Sequence, residues 1–533
     1  MPYAEGARYH SDRGCLQGTR EEMIDKICQW VKSDDDDVPR MLLLSGVAGS
    51  GKSAIAHTVA HRFDQVGRLG SSFFFDRSHQ AVRRPDNIFS TIARDLAELD
   101  PRERECLSRV IQGKKSLRTT SAPREQFEQF ILKPALELTF VGPIVIVIDG
   151  LDESADPASR SDLLSVLADK VPKLPPNFRV LVTTRAEQDI HEALAKNSDV
   201  VCEYMDAISR ESSDRDIASF IRTQLRDVPS LQLKWPNDAW CQLLVEKSEG
   251  LFQWAFTACR FIRGKGKGGL NPAERLSMLV TSTFKNNQSD HMDQLYLRIL
   301  SQIFDAEDNV VMERFRSVLG NVLIIKDSLS ISALKSLCYT DESADIVDLI
   351  LQPLGSLLSG ITQDFPVRPL HTSFRDFLTS PSRGGSFFID ISLHHNSLSR
   401  ACLRVMKTEL RFNICGLETS CVLNREIPDL AARVKNAIPT HLSYACRFWA
   451  NHLHATPFDG VILKEVKNFM HIHLLFWLEV LSLTKQVNTA PTGLSSVIKW
   501  SRVSTRIQRC NSPNTKTIHT HGFRRMMTIS RCS

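Results

Sequence analysis

The sequence predicts an α/β fold built on a parallel sheet with flanking helices. Three stretches predict it. Met41–Ser45 is a short apolar run, followed at once by a glycine-rich loop and a helix-length stretch, Ala54–Phe63. Ile144–Ile148 is β-branched throughout, the composition of a strand buried on both faces of a parallel sheet. Phe178–Arg185, FRVLVTTR, is another such strand. Ser71–Arg77, SSFFFDR, adds a fourth, whose aromatic run reads as core and whose Arg77 has a weak claim to function.

The loop after the first strand carries the chemistry. Gly46, Val47, Ala48, Gly49, Ser50, Gly51, Lys52 and Ser53 read G-x-x-x-x-G-K-S. The glycines let the chain curl so that backbone N–H groups point inward at a phosphate. Lys52 brings a point charge to the β- and γ-phosphates, and the Ser53 hydroxyl is placed to bind Mg²⁺. The helix that follows adds its positive N-terminal dipole end. The expected fold is therefore a P-loop NTPase core.

The strand at Ile144–Ile148 runs into Asp149-Gly-Leu-Asp152-Glu153. An acid at this tip holds Mg²⁺, often through water, and a second carboxylate beyond it polarises the attacking water. Asp149 takes the first role; either Asp152 or Glu153 can serve as the base. The spacing from the loop suits two strands lying side by side or nearly so. Arg185 ends its strand where open α/β sheets place ligands, within reach of a γ-phosphate. The plainer reading of Arg185 is a surface residue starting a loop.

Composition sets the outer limits. At 533 residues the chain has room for several domains, and 42% hydrophobic content is ample for their cores. The 13 cysteines form no C-x-x-C pair, as expected of reduced thiols in a cytoplasmic protein. The N-terminus has no apolar signal region. The longest apolar stretch, His473–Leu483, is too short to span a bilayer, contains Glu479, and reads as a buried helix. Lys499–Ser533 holds eight Lys/Arg and no acid, so the net +5 of the whole becomes −3 without that segment. Bulk charge thus gives no support to nucleic-acid binding, which only the basic tail weakly suggests.

These motifs resemble a family. From about Cys15 to Leu378 the chain resembles the NACHT-type nucleotide-binding module of STAND P-loop NTPases, and most closely the fungal group with a nephrocystin-type N-terminal half. CLQGTREEMIDKICQW resembles that group's lead-in, Asp149–Glu153 the NACHT form of Walker B, and VTTR ending at Arg185 the sensor-1 position. Glu249–Ile262 resembles the helical lid segment, Pro369–Leu378 the end of a winged-helix domain, and Ser443–Leu453 the helical linker. The resemblance implies a lead-in helix at 1–38, a NACHT core at 39–205, a helical lid at 206–285, a winged-helix-like domain at 286–380 and an α-helical linker domain at 381–485. A basic tail without regular structure is expected at 486–533. It also implies ATP/ADP with Mg²⁺ as cofactors, and a winged-helix histidine on the β-phosphate of ADP; by motif position that residue is His371. The plainer reading of His371 is a packed residue at a strand end.

Two departures stand out. Family members usually carry an effector domain ahead of the module and a WD-repeat or other array after the linker. Neither is expected here: the module begins almost at residue 1, and no repeat period is found. The terminal Ser501–Ser533 reads as a basic arm or as a translated non-coding or frame-shifted end.

The expected function is a slow ATPase used as a nucleotide-operated signalling switch, of the fungal NLR-like kind. Its partners are nucleotide, further copies of itself in the ATP state, and unidentified proteins. The alternatives are an ordinary turnover P-loop ATPase and a truncated nucleotide-binding decoy. A nucleoside-phosphate kinase needs an acceptor lid where winged-helix-like sequence follows, and a GTPase needs an N-K-x-D motif, which is absent.

Overall fold

The computed structural model describes residues 1–533 apart from 81, 119, 138–141, 229–237, 265–269, 282–290, 340–343, 362–363, 420 and 512–533. The chain forms two compact units, one of residues 1–335 and 339–391, the other of 336–338 and residues from 392 onward.

The first unit is built on a five-stranded sheet. Its strands are β1 (Met41–Ser45), β2 (Leu69–Phe74), β3 (Ile144–Asp149), β4 (Phe178–Thr184) and β5 (Val200–Tyr204). Their order is β2-β3-β4-β1-β5, with every pair parallel. Alternate side chains enter opposite cores, as the period of two requires. Met41, Leu43, Ile144, Ile146, Ile148, Phe178, Val180 and Val182 pack into one. Leu42, Leu44, Val145, Val147 and Leu181 pack into the other, with Ile24 and Ile27 of helix Glu21–Val31 and Ile55 and Val59 of helix Lys52–Gln65. A sheet with two apolar faces needs helices on both, and the lead-in helix supplies part of one layer.

The P-loop and acidic-tip strands are not adjacent. β4 lies between β1 and β3, pairing Leu42 with Leu181 on one side and Ile146 with Val180 on the other. The aromatic strand also sits earlier than SSFFFDR suggests. It ends at Phe74, because Asp76 accepts the Ser78 N–H and turns the chain into a short 3-10 segment, Arg77–His79. The outer edge of β2 is covered by the N-terminal arm. Phe74 N donates to Ala7 O at 2.8 Å, Tyr9 N donates to Ser72 Oγ at 3.1 Å, and Ala4 and Ala7 are buried. This closes an otherwise open strand edge.

Beyond the sheet the unit is helical. Helices Arg210–Leu225, Asp238–Ser248 and Phe252–Arg263 follow β5. Residues 265–269, the middle of the Gly/Lys-rich stretch Arg263–Pro272, lie outside the described residues. Helices His291–Ile303, Asn309–Ile324, Ile331–Cys338 and Asp345–Leu351 come next, then an antiparallel pair, β6 (Leu358–Ser359) and β7 (Arg368–Pro369), and helix Thr372–Leu378. The first unit continues past the boundary expected at 380. Phe387 stacks edge-on against Phe315 at 5.5 Å, and Ile389 N donates to Leu378 O at 2.8 Å.

The second unit is all helix, with Trp449, Trp477 and Phe469 in its core. Leu474–Leu483 is helical as expected, with Trp477, Val480, Leu481 and Leu483 buried, but Leu475 is 73% exposed. A tail without regular structure was expected from 486; instead a helix runs over Thr489–Asn511. The reason is a sparse apolar stripe, Ala490, Val497 and Trp500, all buried, with Trp500 Nε1 donating to Thr456 O at 2.9 Å. Seven- and three-residue spacings put these three on one helical face.

Phe178 is fully buried at the start of the central strand. Phe178→Ala should destabilise the first unit by about 3–5 kcal/mol, seen as a lowered midpoint in urea unfolding.

Candidate functional site

The C-terminal ends of the parallel strands open on a cavity of about 980 Å³. Its walls include the Gly46–Ser53 loop, the tips of β3 and β4, and His371, Thr372 and Arg375. The site is therefore assembled where parallel sheets gather their strand ends.

The loop leaves β1 and enters helix Lys52–Gln65 through two left-handed glycines, Gly49 (φ 82°) and Gly51 (φ 101°). A Cβ on Gly49 would sit 2.7 Å from Gln253 Cβ, and Gln253 N donates to Gly49 O at 3.1 Å. The start of helix Phe252–Arg263 thus rests on the loop. Lys52 is buried, and its Nζ donates to Gly46 O at 2.7 Å and Val47 O at 2.8 Å. Burial lowers the Lys52 pKa, while the carboxylates of Asp152 and Asp149 act the other way. The first N–H groups of the helix have no helical acceptor and face an anion end-on.

Asp149 ends β3, buried beside the loop. Burial raises its carboxyl to about 6, against hydrogen bonds from Thr183 and Ser53 and the charge of Lys52. Thr183 Oγ1 donates to Asp149 Oδ1 and accepts the Gly150 N–H at 3.1 Å, so β4 orients the tip of β3. The structure brings Ser53 and Asp149 together as a hydroxyl–carboxylate pair. Such a pair, completed by phosphate oxygens and water, fits Mg²⁺. Among the described residues no group of three or more His, Cys, Asp or Glu forms a metal site without such help.

The two carboxylates after Gly150 differ. Asp152 is buried and committed: Oδ1 accepts the Arg185 N–H at 3.0 Å, and Oδ2 lies 3.2 Å from Arg185 Nε. Glu153 is less engaged; Oε2 accepts the Arg77 N–H at 3.3 Å. Burial, then the charges of Asp152 and Asp76, raise the Glu153 carboxyl to about 8.

Arg185 is no isolated surface residue. Besides Asp152, its Nη1 donates to Asp376 Oδ2 at 2.8 Å and its Nη2 to Thr372 Oγ1. Arg77 Nη1 donates to Asp376 Oδ1 at 3.1 Å. His371 caps helix Thr372–Leu378: Nδ1 accepts the Ser373 N–H at 3.2 Å, and Ser373 Oγ in turn meets Tyr296 OH at 2.8 Å. Burial, with Arg185 and Lys52 nearby, pushes the His371 pKa down to about 3, so the ring is neutral. With Nδ1 accepting a backbone N–H, the proton sits on Nε2.

Sequence reasoning missed several contributors. Thr183 had a signal, the polar doublet ending an apolar strand. Arg20 had one too, inside GTREE. It adopts φ 59°, donates to Ser50 O at 3.2 Å and Ser213 Oγ at 2.9 Å, and lies 4.8 Å over the Phe252 ring, tying loop to lid helices. Thr372 and Asp376 had none beyond helical spacing.

Residues 18–185 match the family model described as Nephrocystin 3, N-terminal. The segment is a P-loop NTPase core. The match supports the NACHT/STAND-type module that the motifs resemble, over a shorter stretch than the motifs themselves cover. No curated protein matches the chain. Among solved structures, one is the Signal Transduction ATPase with Numerous Domains (STAND) protein with a tetratricopeptide repeat sensor from Pyrococcus horikoshii. It aligns at 13% identity and TM-score 0.38 over 94% of this chain, which spans 66% of the length of that protein. Drosophila ORC bound to DNA aligns at 14% identity and TM-score 0.32, over 63% of this chain and 82% of that one. Cdc6p from Pyrobaculum aerophilum aligns at 11% identity and TM-score 0.30, over 74% and 96%. At these scores the likenesses carry no functional argument.

Lys52→Ala removes the loop's only side-chain charge from the P-loop NTPase core. Nucleotide affinity should fall tenfold or more, about 1.5–3 kcal/mol, by titration calorimetry. Unchanged affinity would overturn the assignment of this loop.

Proposed function

We propose that the chain is a nucleotide-operated switch: it binds ADP or ATP with Mg²⁺, hydrolyses ATP slowly, and changes shape or assembles between the two states. The observation that carries this reading is the Arg185 bridge. A side chain at a strand tip of the core pairs with Asp152 of the core and with Thr372 and Asp376 of a helix nearly two hundred residues on. A simple turnover site does not need its sensor arginine held by a distant segment. A switch does, because ligand shifts a population only through different contacts in its two states.

In this reading the Gly46–Ser53 loop and Lys52 hold the phosphates, and Ser53 and Asp149 hold Mg²⁺. The metal neutralises phosphate charge and orients the terminal group. Glu153 is the base for the attacking water, since it has open lone pairs and an elevated pKa. Asp152 positions Arg185. His371 donates from Nε2 to the β-phosphate and holds the closed, ADP-bound form. The family setting of fungal self/non-self recognition or innate immunity, ATP-driven self-assembly and a cytoplasmic location belong to the same proposal. Among the described residues no helix is long and apolar enough to cross a membrane.

Glu153→Gln should bind ATP with near-normal affinity and lose about 10²-fold in hydrolysis, and Asp152→Asn should lose less. A base must be deprotonated to act. Wild-type single-turnover hydrolysis should therefore rise with pH and level off above about 8, the value of the Glu153 carboxyl. A rate independent of pH on the acid side, or normal turnover in both variants, removes the base from this strand tip.

His371→Ala should leave phosphate binding intact and loosen closure. ADP release, followed by stopped flow, should quicken about tenfold, the worth of one hydrogen bond to a charged group. Light scattering should show larger particles with ATP. Identical off-rates and masses would leave His371 as a packing residue. Rapid wild-type turnover without a change of shape or mass would favour the plain ATPase.

A further inference from the structure

Asp376 does more than complete the Arg185 bridge: its carboxylate is the anion between the two arginines at the phosphate end. Arg77 donates to Oδ1 at 3.1 Å and Arg185 to Oδ2 at 2.8 Å, and all three side chains are largely shielded from water. Each nitrogen of the Arg185 guanidinium already has a partner: Nε lies against Asp152, Nη1 against Asp376, and Nη2 against Thr372. A guanidinium offers a fixed fork of donors and a single positive charge, so an arriving anion competes for it with the carboxylates already there. Asp152 is hard to replace, because it also accepts the Arg185 backbone N–H and lies one strand away in the same sheet layer. Thr372 and Asp376 come from elsewhere in the fold and can leave together.

The neighbouring side chain adds a second observation. Arg375 lines the cavity, and its side chain makes no hydrogen bond or ion pair among the described residues. Burial acts against its charge, Arg77 repels it, and Asp376 and Glu153 attract it only at longer range. Three guanidiniums thus surround one aspartate. A terminal phosphate carries more charge than a carboxylate and offers more acceptor oxygens to arginine forks.

We propose that Asp376 is an internal anion that competes with the terminal phosphate of a nucleoside triphosphate for Arg77 and Arg185, and so sets the preference between di- and triphosphate. This rests on the switch reading and names the residue that decides which nucleotide favours which state. With a diphosphate bound, Asp376 keeps both arginines and helix Thr372–Leu378 stays docked. With a triphosphate bound, the phosphate takes the arginines, Arg375 adds its charge, and Asp376 is released.

The test is a ratio. Dissociation constants for Mg-ADP and for its non-hydrolysable triphosphate analogue, adenylyl imidodiphosphate, are measured by titration calorimetry. Asp376→Asn keeps the shape and removes the charge. It should shift the ratio toward the triphosphate by about tenfold, and Asp376→Glu should return most of the wild-type ratio. Arg77→Gln keeps the test open should Asp376→Asn misfold: it removes a cation that the terminal phosphate would gain, so the ratio should move severalfold the other way. A wild-type ratio in every folded variant overturns the proposal while leaving the switch reading in place. Failure of the wild type to bind either nucleotide overturns both.

Discussion

The phosphate end of this molecule depends on β4 lying between β1 and β3. In an all-parallel sheet every strand delivers its last residue to the same edge, and the order decides which residues meet there. With β4 in the middle, Thr183 reaches Asp149 on one side, while Arg185 continues past the tip to Asp152. Placing β1 beside β3 would bring Lys52 and Asp149 together but leave Arg185 at a distance. The central position of β4 turns two charged motifs into a three-part constellation.

Confinement then sets the electrostatics. Asp149 and Glu153 are raised, to about 6 and about 8, chiefly because they are buried; Lys52 is lowered for the same reason. Opposite charges act against burial at Asp149 and Lys52, whereas at Glu153 the charges of Asp152 and Asp76 add to it and Arg77 and Arg185 oppose it. Asp152 accepts the Arg185 backbone N–H and lies in an ion pair with its side chain. Two adjacent carboxylates, written side by side in the sequence, therefore become chemically distinct. One is paired with an arginine side chain, and the other accepts a single backbone N–H, from Arg77.

The 371–378 segment is coupled to this site by polar contacts rather than by a broad apolar interface with the strand tips. His371 is braced through Ser373 to Tyr296, whose ring also packs on Phe374 at 5.0 Å. Its anchor on its own side is hydrophobic; its attachment to the core is ionic. Partly buried ion pairs contribute modest net stability but are specific in geometry, since leaving one partner unpaired is costly. Such a contact suits an element that must dock in one place and release when a better anion arrives.

Much was legible in the sequence because it lies in local pattern. The P-loop spacing, the β-branched strands and the acidic tip each fit within a dozen residues, and their physical cause is local: glycine φ, strand burial, a carboxylate next to a turn. The chain by itself thus determined the α/β core, the roles open to Lys52, Ser53 and Asp149, and the choice between Asp152 and Glu153 as an unresolved pair. Only the tertiary structure shows how the partners of that pair differ, because the difference comes from Arg185, at the end of another strand. It also decided that Arg77 and Arg185 share Asp376. No sequence period links residues 77, 185 and 376; the parallel sheet brings the ends of β2 and β4 to one edge, and helix Thr372–Leu378, after the β6–β7 pair, brings the third. The Thr489–Asn511 helix was missed for a related reason. Its stripe of Ala490, Val497 and Trp500 is too sparse to stand out in a polar, basic segment, and it becomes a helix face only when a packed neighbour buries it. Local chemistry is written where it acts, whereas the pairing of distant charges is settled by the path of the folded chain.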